Sequence, residues 1–493
     1  MQKKISKILI IILVISSMMS LSGCQKKCPK PTANIPGTST FRSDCPYEDK
    51  TTTSGKRELN LYIVYDNTDD FREQIQAFQS QNTGVAVNVK KFVNLQEYED
   101  LVINEIAEGE GPDVFMIHNS WLPKHWKKLL PMPLDLPVVV TPDIFRQAFF
   151  QAAQNDLIID EKIYGMPLSI DNLAIYYNKA YFRDLLATTN KPGELWENIK
   201  DQVFQLTKQN NSPERFALAG IGIGRADNVN AAVDALYTMM LEYGVKFYDD
   251  AEDSATFAAD APSSASGVQN PGVAALTLYT SFGLPSYKNY SWNDTITGYS
   301  PEKKEIDPFV RGKVAMILGY PYLYNTIVQE IQNAQKSGGA HIDIDEVAIA
   351  KMPQLVSRTE STRQDTLASY FPLVVSRTTK YPKEAWSLAT FLTTKDSLQT
   401  YHKKTNKPSS RTDLVQEQAT EPLFGVFAEQ APYAKSFRIY DEASYDKVFR
   451  DAIQEVITNV ATPKEALSKA QTKITCIVKK QKGLTSSETD CGI

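Results

Sequence analysis

The spacing of apolar residues between Leu59 and Ile117 constrains the fold more than any other feature of this chain. Leu59, Leu61, Ile63 and Tyr65 alternate with polar neighbours, which is the period of a strand. Phe71, Ile75 and Phe78 then recur at helical spacing, with Asp70 and Glu73 placed as a capping box for that helix. Gly84 ends the helix, and Val85, Val87 and Val89 resume the strand period. Leu101, Val102 and Ile106 mark a second helix before the short apolar run Asp113–Ile117. Strand, helix, strand, helix, strand in this order predicts an α/β fold, with a mainly parallel sheet carrying helices on both faces.

Further strands are expected at Ile175–Tyr177, Ala217–Ile223, Val314–Leu318, Asp345–Ala350 and Leu373–Ser376. Helices are expected at Val229–Tyr243 and at about 382–394, 443–459 and 463–480. Residues 246–272 are polar, acidic and rich in Ala and Ser, which suits a loop or insertion. No internal repeat is visible. At 493 residues the chain exceeds one ordinary core, so two lobes or more are expected.

The N-terminal segment speaks to location. Lys3, Lys4 and Lys7 precede the apolar run Ile8–Ile15, and small and polar residues lead to Leu21-Ser22-Gly23-Cys24. This is the layout of a secretory signal peptide, and the run is well short of the roughly 20 apolar residues that a membrane span needs. Leu21–Cys24 also resembles the bacterial lipobox, in which the cysteine is lipidated and becomes the mature N-terminus. The expectation is a signal peptide over 1–23, lipidation at Cys24 and a linker over 24–57 containing Pro29, Pro31, Pro36 and Pro46. That places the protein on the extracytoplasmic face of the cell membrane. A formal charge of −5 without a basic run argues against a nucleic-acid partner. Cys28, Cys45, Cys476 and Cys491 remain as disulfide candidates. Pairing Cys28 with Cys45 and Cys476 with Cys491 closes two short loops, whereas the other pairings staple the two chain ends together.

Open parallel sheets bind ligands beyond the carboxyl ends of their strands, so the loops there are the candidate site. They hold Tyr65-Asp66-Asn67, then His118 followed by Asn119, Ser120 and Trp121, then Tyr320-Pro321-Tyr322, and Tyr370 ahead of Leu373. Each pairs an aromatic ring with hydrogen-bonding groups. Rings that cover the apolar face of a sugar, beside groups that pair with its hydroxyls, point to a carbohydrate. Trp292 lies in a polar aromatic loop suited to a cleft or to a surface latch. Asp171 and Asn172 either face a cleft or stabilise a turn. Trp121 suits stacking or packing, Asp66 and Asn119 suit ligand hydroxyls or helix caps, and Arg363 and Arg411 suit an anion or the solvent.

Enzymatic signatures such as H-E-x-x-H, G-x-S-x-G, a P-loop or G-x-G-x-x-G are missing from the sequence. The four histidines lack metal-ligand spacing, so no metal and no cofactor is expected. A glycosidase needs only two carboxylates, a pattern that 58 acidic residues leave open.

Five segments carry a family resemblance. Gly111-Pro112-Asp113-Val114-Phe115 resembles the "GPDV" strand entry of the bacterial extracellular solute-binding proteins of family 1, the group that includes maltose-binding proteins. Tyr164-Gly165-Met166-Pro167 with Ala174–Lys179 is similar to that family's lobe crossover, and Phe309–Met316 to its "F..GK.AM" strand. Lys383-Glu384-Ala385-Trp386 with Phe391-Leu392 resembles its "KEAW.....FL" helix, and 453–474 its closing helix pair. Residues 25–57 and the four cysteines depart from the family pattern, and Tyr320 and Tyr322 stand where maltose-binding relatives tend to present tryptophan. The resemblance implies a type II, two-lobed periplasmic-binding-protein-like fold with a hinge. One lobe would take 58–168 and 346–405, the other 169–345 and 406–493. It also implies a small-molecule solute, most simply a carbohydrate, caught by hinge closure and passed to the permease subunits of an ABC transporter by a monomeric protein. A peptide- or polyamine-binding lipoprotein and a sensory lipoprotein of the same fold are the alternatives.

Overall fold

A computed structural model describes residues 55–493 apart from 137–139, 186–189, 211, 261–266, 298–300 and 356–363. The expected signal peptide, Cys24, Cys28, Cys45, Arg363 and nearly all of the linker lie outside the described residues. The elements that position the cleft begin with β1 (Arg57–Val64), α1 (Thr68–Gln81), β2 (Val85–Phe92), α2 (Leu95–Glu108), β3 (Val114–Met116) and β4 (Gly165–Pro167). They continue with β5 (Ala174–Asn178), α3 (Ala232–Glu242), β6 (Met316–Gly319), β7 (Val347–Lys351) and β8 (Pro372–Val375). The chain then forms α4 (Pro382–Leu392), α5 (Lys395–Thr405), α6 (Glu442–Ile457) and α7 (Pro463–Gln481).

The first sheet has the order β2-β1-β3-β8-β4. β1 runs parallel to β2, from Arg57 opposite Val85 to Val64 opposite Phe92, and parallel to β3 through Leu61 and Val114. Leu59, Leu61 and Ile63 point into the core while Glu58 and Asn60 face out, which is the alternation the sequence carries. α1 buries Phe71, Ile75 and Phe78. Its capping box is one turn earlier than expected: the Asn67 N–H donates to Asp70 Oδ2 at 2.7 Å, so Asp70 serves as the third residue of the box and Glu73 lies beyond it. β8 runs antiparallel to both β3 and β4, which makes the sheet mixed. A strand arriving from the other lobe needs no crossover helix, so antiparallel pairing is open to it.

The second sheet has the order β6-β5-β7, with β5 antiparallel to both neighbours; Tyr176 faces Ile317 on one side and Ile349 on the other. This corrects the expected lobe boundary at 346. β7 belongs to the second lobe, because its backbone groups pair with β5. Two separate cores follow the same division. One runs from Leu59 to Ile170 and resumes at Ala368; the other runs from Leu173 to Met352 and resumes late in the chain with α6 and α7. Leu414, Ala431 and Ala434 pack with the first core, so that lobe also extends past 405.

The crossings between the lobes are tied together by one fully buried side chain. Gln430 accepts from the Met352 N–H at 2.8 Å and donates to Asn172 Oδ1 at 2.7 Å and to the Leu173 carbonyl at 2.9 Å. Cys476 of α7 is disulfide-bonded to Cys491. Among the described residues, no helix is long and apolar enough to cross a membrane.

Candidate binding cleft

The first-lobe wall begins where β1 ends. Tyr65 sits in the left-handed region with φ 66° and is 53% exposed. That conformation is costly for a bulky residue and persists only where surrounding structure enforces it. The Tyr65 ring makes an edge contact with Phe371 at 5.9 Å. Asp66 turns inward, pairs with Lys407 Nζ at 2.6 Å and accepts the Tyr401 hydroxyl at 2.6 Å. Beyond β3, Asn119 donates to Asp156 at 3.0 Å, and its carbonyl oxygen accepts the Tyr370 N–H. The Tyr370 hydroxyl and Ser436 Oγ also donate to Asp156, so this loop rests on a buried, hydrogen-bonded frame.

The second-lobe wall begins where β6 ends. Gly319 is required there, because a Cβ would come within 2.1 Å of Leu323 Cδ2. The Tyr320 hydroxyl donates to Asp234 of α3 at 2.9 Å, and the Tyr176 hydroxyl holds the Tyr320 carbonyl at 2.8 Å. The Tyr320 and Tyr322 rings lie nearly parallel with centroids 6.1 Å apart, and Tyr322 is 61% exposed. The two exposed tyrosines thus come one from each lobe.

The walls meet at Glu442, the first residue of α6. Its Oε2 accepts Ser120 Oγ at 2.8 Å and the Trp121 indole N–H, and lies 3.2 Å from His118 Nδ1. Burial opposes its charge, yet His118 and these donors hold its carboxyl down at about 2. Burial likewise disfavours protonated His118, but Glu442, Asp234 and Asp156 outweigh it and raise the imidazole. Asp171 is pushed up to about 6 by burial, against the pull of Lys407, and its Oδ1 has no hydrogen-bond partner. The cavity between the lobes, lined by His118, Ser120, Asp234, Ser369 and Glu442, holds only about 80 Å³. Ligand pockets commonly run to about 300–1,000 Å³, so solute entry requires the walls to part. A wider groove of about 780 Å³ continues beside it, between Asp156 and Arg146 of one lobe and Phe247, Tyr248 and Arg438 of the other.

Of the expected residues, Asn119 and Ser120 line this cavity, and Trp121 and Tyr320 bond to its lining acids Glu442 and Asp234. Tyr65 and Tyr322 are exposed beyond strand ends of opposite lobes, while Asp66 and Asp171 are buried. Four expected site residues stand elsewhere. Trp292 is fully buried in the second core, its indole N–H donating to Asn228 at 2.8 Å, so neither ring face is free to stack. Tyr370 is fully buried in the frame behind the loop, Asn172 is locked at the crossing by Gln430 and the Ile170 and Phe427 carbonyls, and Asn67 starts α1 and accepts Lys91. Arg411 pairs with Asp413. The cleft residues absent from the sequence-derived set are Asp156, Asp234 and Glu442. Asp234 carries a legible signal, an acid in the first turn of the largely apolar helix α3; Glu442, an acid in a helix's first turn, carries none beyond a favourable dipole.

The family model for bacterial extracellular solute-binding proteins matches residues 65–399. A binding protein of Brucella abortus is 23% identical over 422 residues, covering 83% of this chain and 90% of its own. The galactooligosaccharide-binding protein of Bacillus subtilis is 23% identical over 420 residues, covering 84% and 87%. Among solved structures, the sugar-binding protein MalE of Xanthomonas citri superposes with a TM-score of 0.66 at 16% identity, covering 87% of this chain and 98% of that one. At that identity the likeness speaks to the fold, which is the type II solute-binding architecture described above.

Proposed function

The chain belongs to the bacterial extracellular solute-binding proteins, and on that premise we propose that its cleft captures a sugar or oligosaccharide by hinge closure and delivers it to the permease subunits of an ABC transporter. The observation that carries the reading is the pair of exposed tyrosines, Tyr65 and Tyr322, set on opposite lobes at the ends of β1 and β6. Rings on opposite lobes can cover the apolar face of a sugar, while Asp171 and Asp234 offer acceptors for its hydroxyls. The relatives support the same class: one is named for galactooligosaccharide binding and another for sugar binding. The family relatives are binders, and we read this protein as a binder too, with no reaction catalysed in the cleft. Lipidation at Cys24 and the proline-rich linker to residue 57 would tether a monomeric trap to the outer face of the membrane and raise its effective concentration at the transporter.

A thermal-shift panel tests the proposal, with mono- and oligosaccharides, amino acids, peptides and polyamines each added to the protein. A ligand at about 100 times its dissociation constant adds about 2.7 kcal/mol, which appears as a raised melting temperature. A shift with sugars supports the reading. Shifts confined to amines would replace it with the polyamine or peptide reading, which the unpartnered Asp171 Oδ1 favours.

A further inference from the structure

The contact at Glu442 joins protein to protein across the lobes. Glu442 is anchored on the second lobe by α6, whose Tyr445, Val448 and Phe449 are buried in that core. Its donors sit on the first lobe, in the loop after β3 that Asn119, Asp156 and Tyr370 brace. The Trp121 indole can only donate, and Glu442 is its acceptor. Ser120 passes its proton toward Glu442 while accepting from His118 Nδ1 at 2.6 Å. The other ring nitrogen, Nε2, lies 2.9 Å from Ser369 Oγ, so an imidazolium finds an acceptor on both sides. Opening the hinge separates all of these donors from the carboxylate in one step.

We propose that Glu442 is a latch that holds the lobes together in the absence of solute, and that His118 makes this latch pH-dependent. The inference rests on the two-lobed trap, not on the identity of the solute. Charges facing His118 come from both lobes. Asp156 and Asp171 stand on the first-lobe and crossing side, and Glu442 and Asp234 on the second-lobe side. Asp446 and the Tyr65, Tyr237 and Tyr320 phenols lie around Glu442 and Asp234, and Lys407 is the cation beside Asp171. Carboxylates therefore dominate the surroundings of the ring. In the open form His118 loses Glu442 and regains water, so its proton affinity falls back toward the ordinary imidazole value of about 6.5. Closure then takes up a proton. The stabilisation it draws from His118 is complete below that ordinary value and is lost as pH rises through the raised closed-form value. Glu442 stays charged throughout that range, because its own carboxyl is held at about 2.

The test is the interlobe distance in the solute-free, full-length chain, read by energy transfer between dyes at the exposed Lys127 and Lys447. At about pH 6 the distance is expected to be short, and at about pH 9 longer. Glu442→Gln should lengthen it at both values, and His118→Asn should abolish the difference between them. Circular dichroism confirms that each variant remains folded, and Glu442→Ala or His118→Gln takes the place of one that does not. A distance that is the same at both pH values overturns the role of His118, and a Glu442→Gln variant as closed as the original overturns the latch. Silence across the solute panel would instead defeat the sugar reading and leave this measurement untouched.

Discussion

Two tryptophan–glutamate pairs in this molecule share their chemistry and differ in almost everything else. Within the second lobe, the Trp196 indole donates to Glu242 Oε2 at 2.8 Å inside the core. Across the lobes, the Trp121 indole donates to Glu442 Oε2 at the cleft. Glu242 has that one donor, its Oε1 has no hydrogen-bond partner, and burial drives its carboxyl well above the usual range, with Asp365 adding to the effect. Burial thus favours its neutral form, a packing group with a polar end. Glu442 has a second donor and a cation within reach and is a carboxylate. The contrast teaches that the donor set, not burial alone, decides whether a buried acid is structural or an electrostatic hinge contact.

The largest expected effect lies in the core pair. Trp196→Ala should destabilise the protein by about 3–5 kcal/mol in chemical denaturation, since the ring is 1% exposed and leaves a cavity. Trp121→Ala should cost clearly less stability and act instead on the interlobe distance; equal losses from the two variants would erase the distinction drawn between them. Next in size is Tyr322→Ala. Its ring is mostly exposed, so the melting temperature should stay put while solute affinity falls at least tenfold, about 1.4 kcal/mol by titration calorimetry. An unchanged affinity would remove Tyr322 from the site.

The smallest effect is expected for Glu242→Gln, within about 1 kcal/mol, because burial favours the neutral acid and the amide keeps its shape and an acceptor. Its sharper readout is the pH profile of stability. An acid whose folded value is raised contributes fully below its unfolded value, about 4.3, and loses that contribution as pH rises through the folded value. Glu242→Gln should therefore flatten the decline in stability towards alkaline pH. Glu442 has the opposite sign: its contribution is present above the unfolded value and lost as pH falls towards about 2. A steep alkaline decline that survives in Glu242→Gln would mean another group is responsible.

The first lobe was legible because its signals are local. β1, α1, β2, α2 and β3 each announce themselves within about ten residues through the spacing of apolar side chains, and the structure places them at nearly the expected positions. The loops after strands were legible for the same reason, which brought Tyr65, Asp66, Tyr320 and Tyr322 into view. Trp292 misled because its neighbours are polar. Ser291 and Asn293 spend that polarity inside the lobe, Ser291 donating to the Ile221 carbonyl and the Asn293 amide donating to the Tyr290 hydroxyl and accepting from Thr295. β7 misled because a strand of alternating apolar residues does not say which sheet will take its backbone groups.

By itself, then, the sequence determined what repeats at short range: strand and helix periods, the α/β character, the family, and the aromatic loops at the strand ends. Only the tertiary structure decided which lobe owns β7, which acids are charged, and that Glu442 reaches Trp121 across 321 positions of chain. The reason is physical. A side chain's period is set by its own backbone, but its proton affinity and its partners are set by whatever the fold brings within a few ångströms, and no local pattern records that.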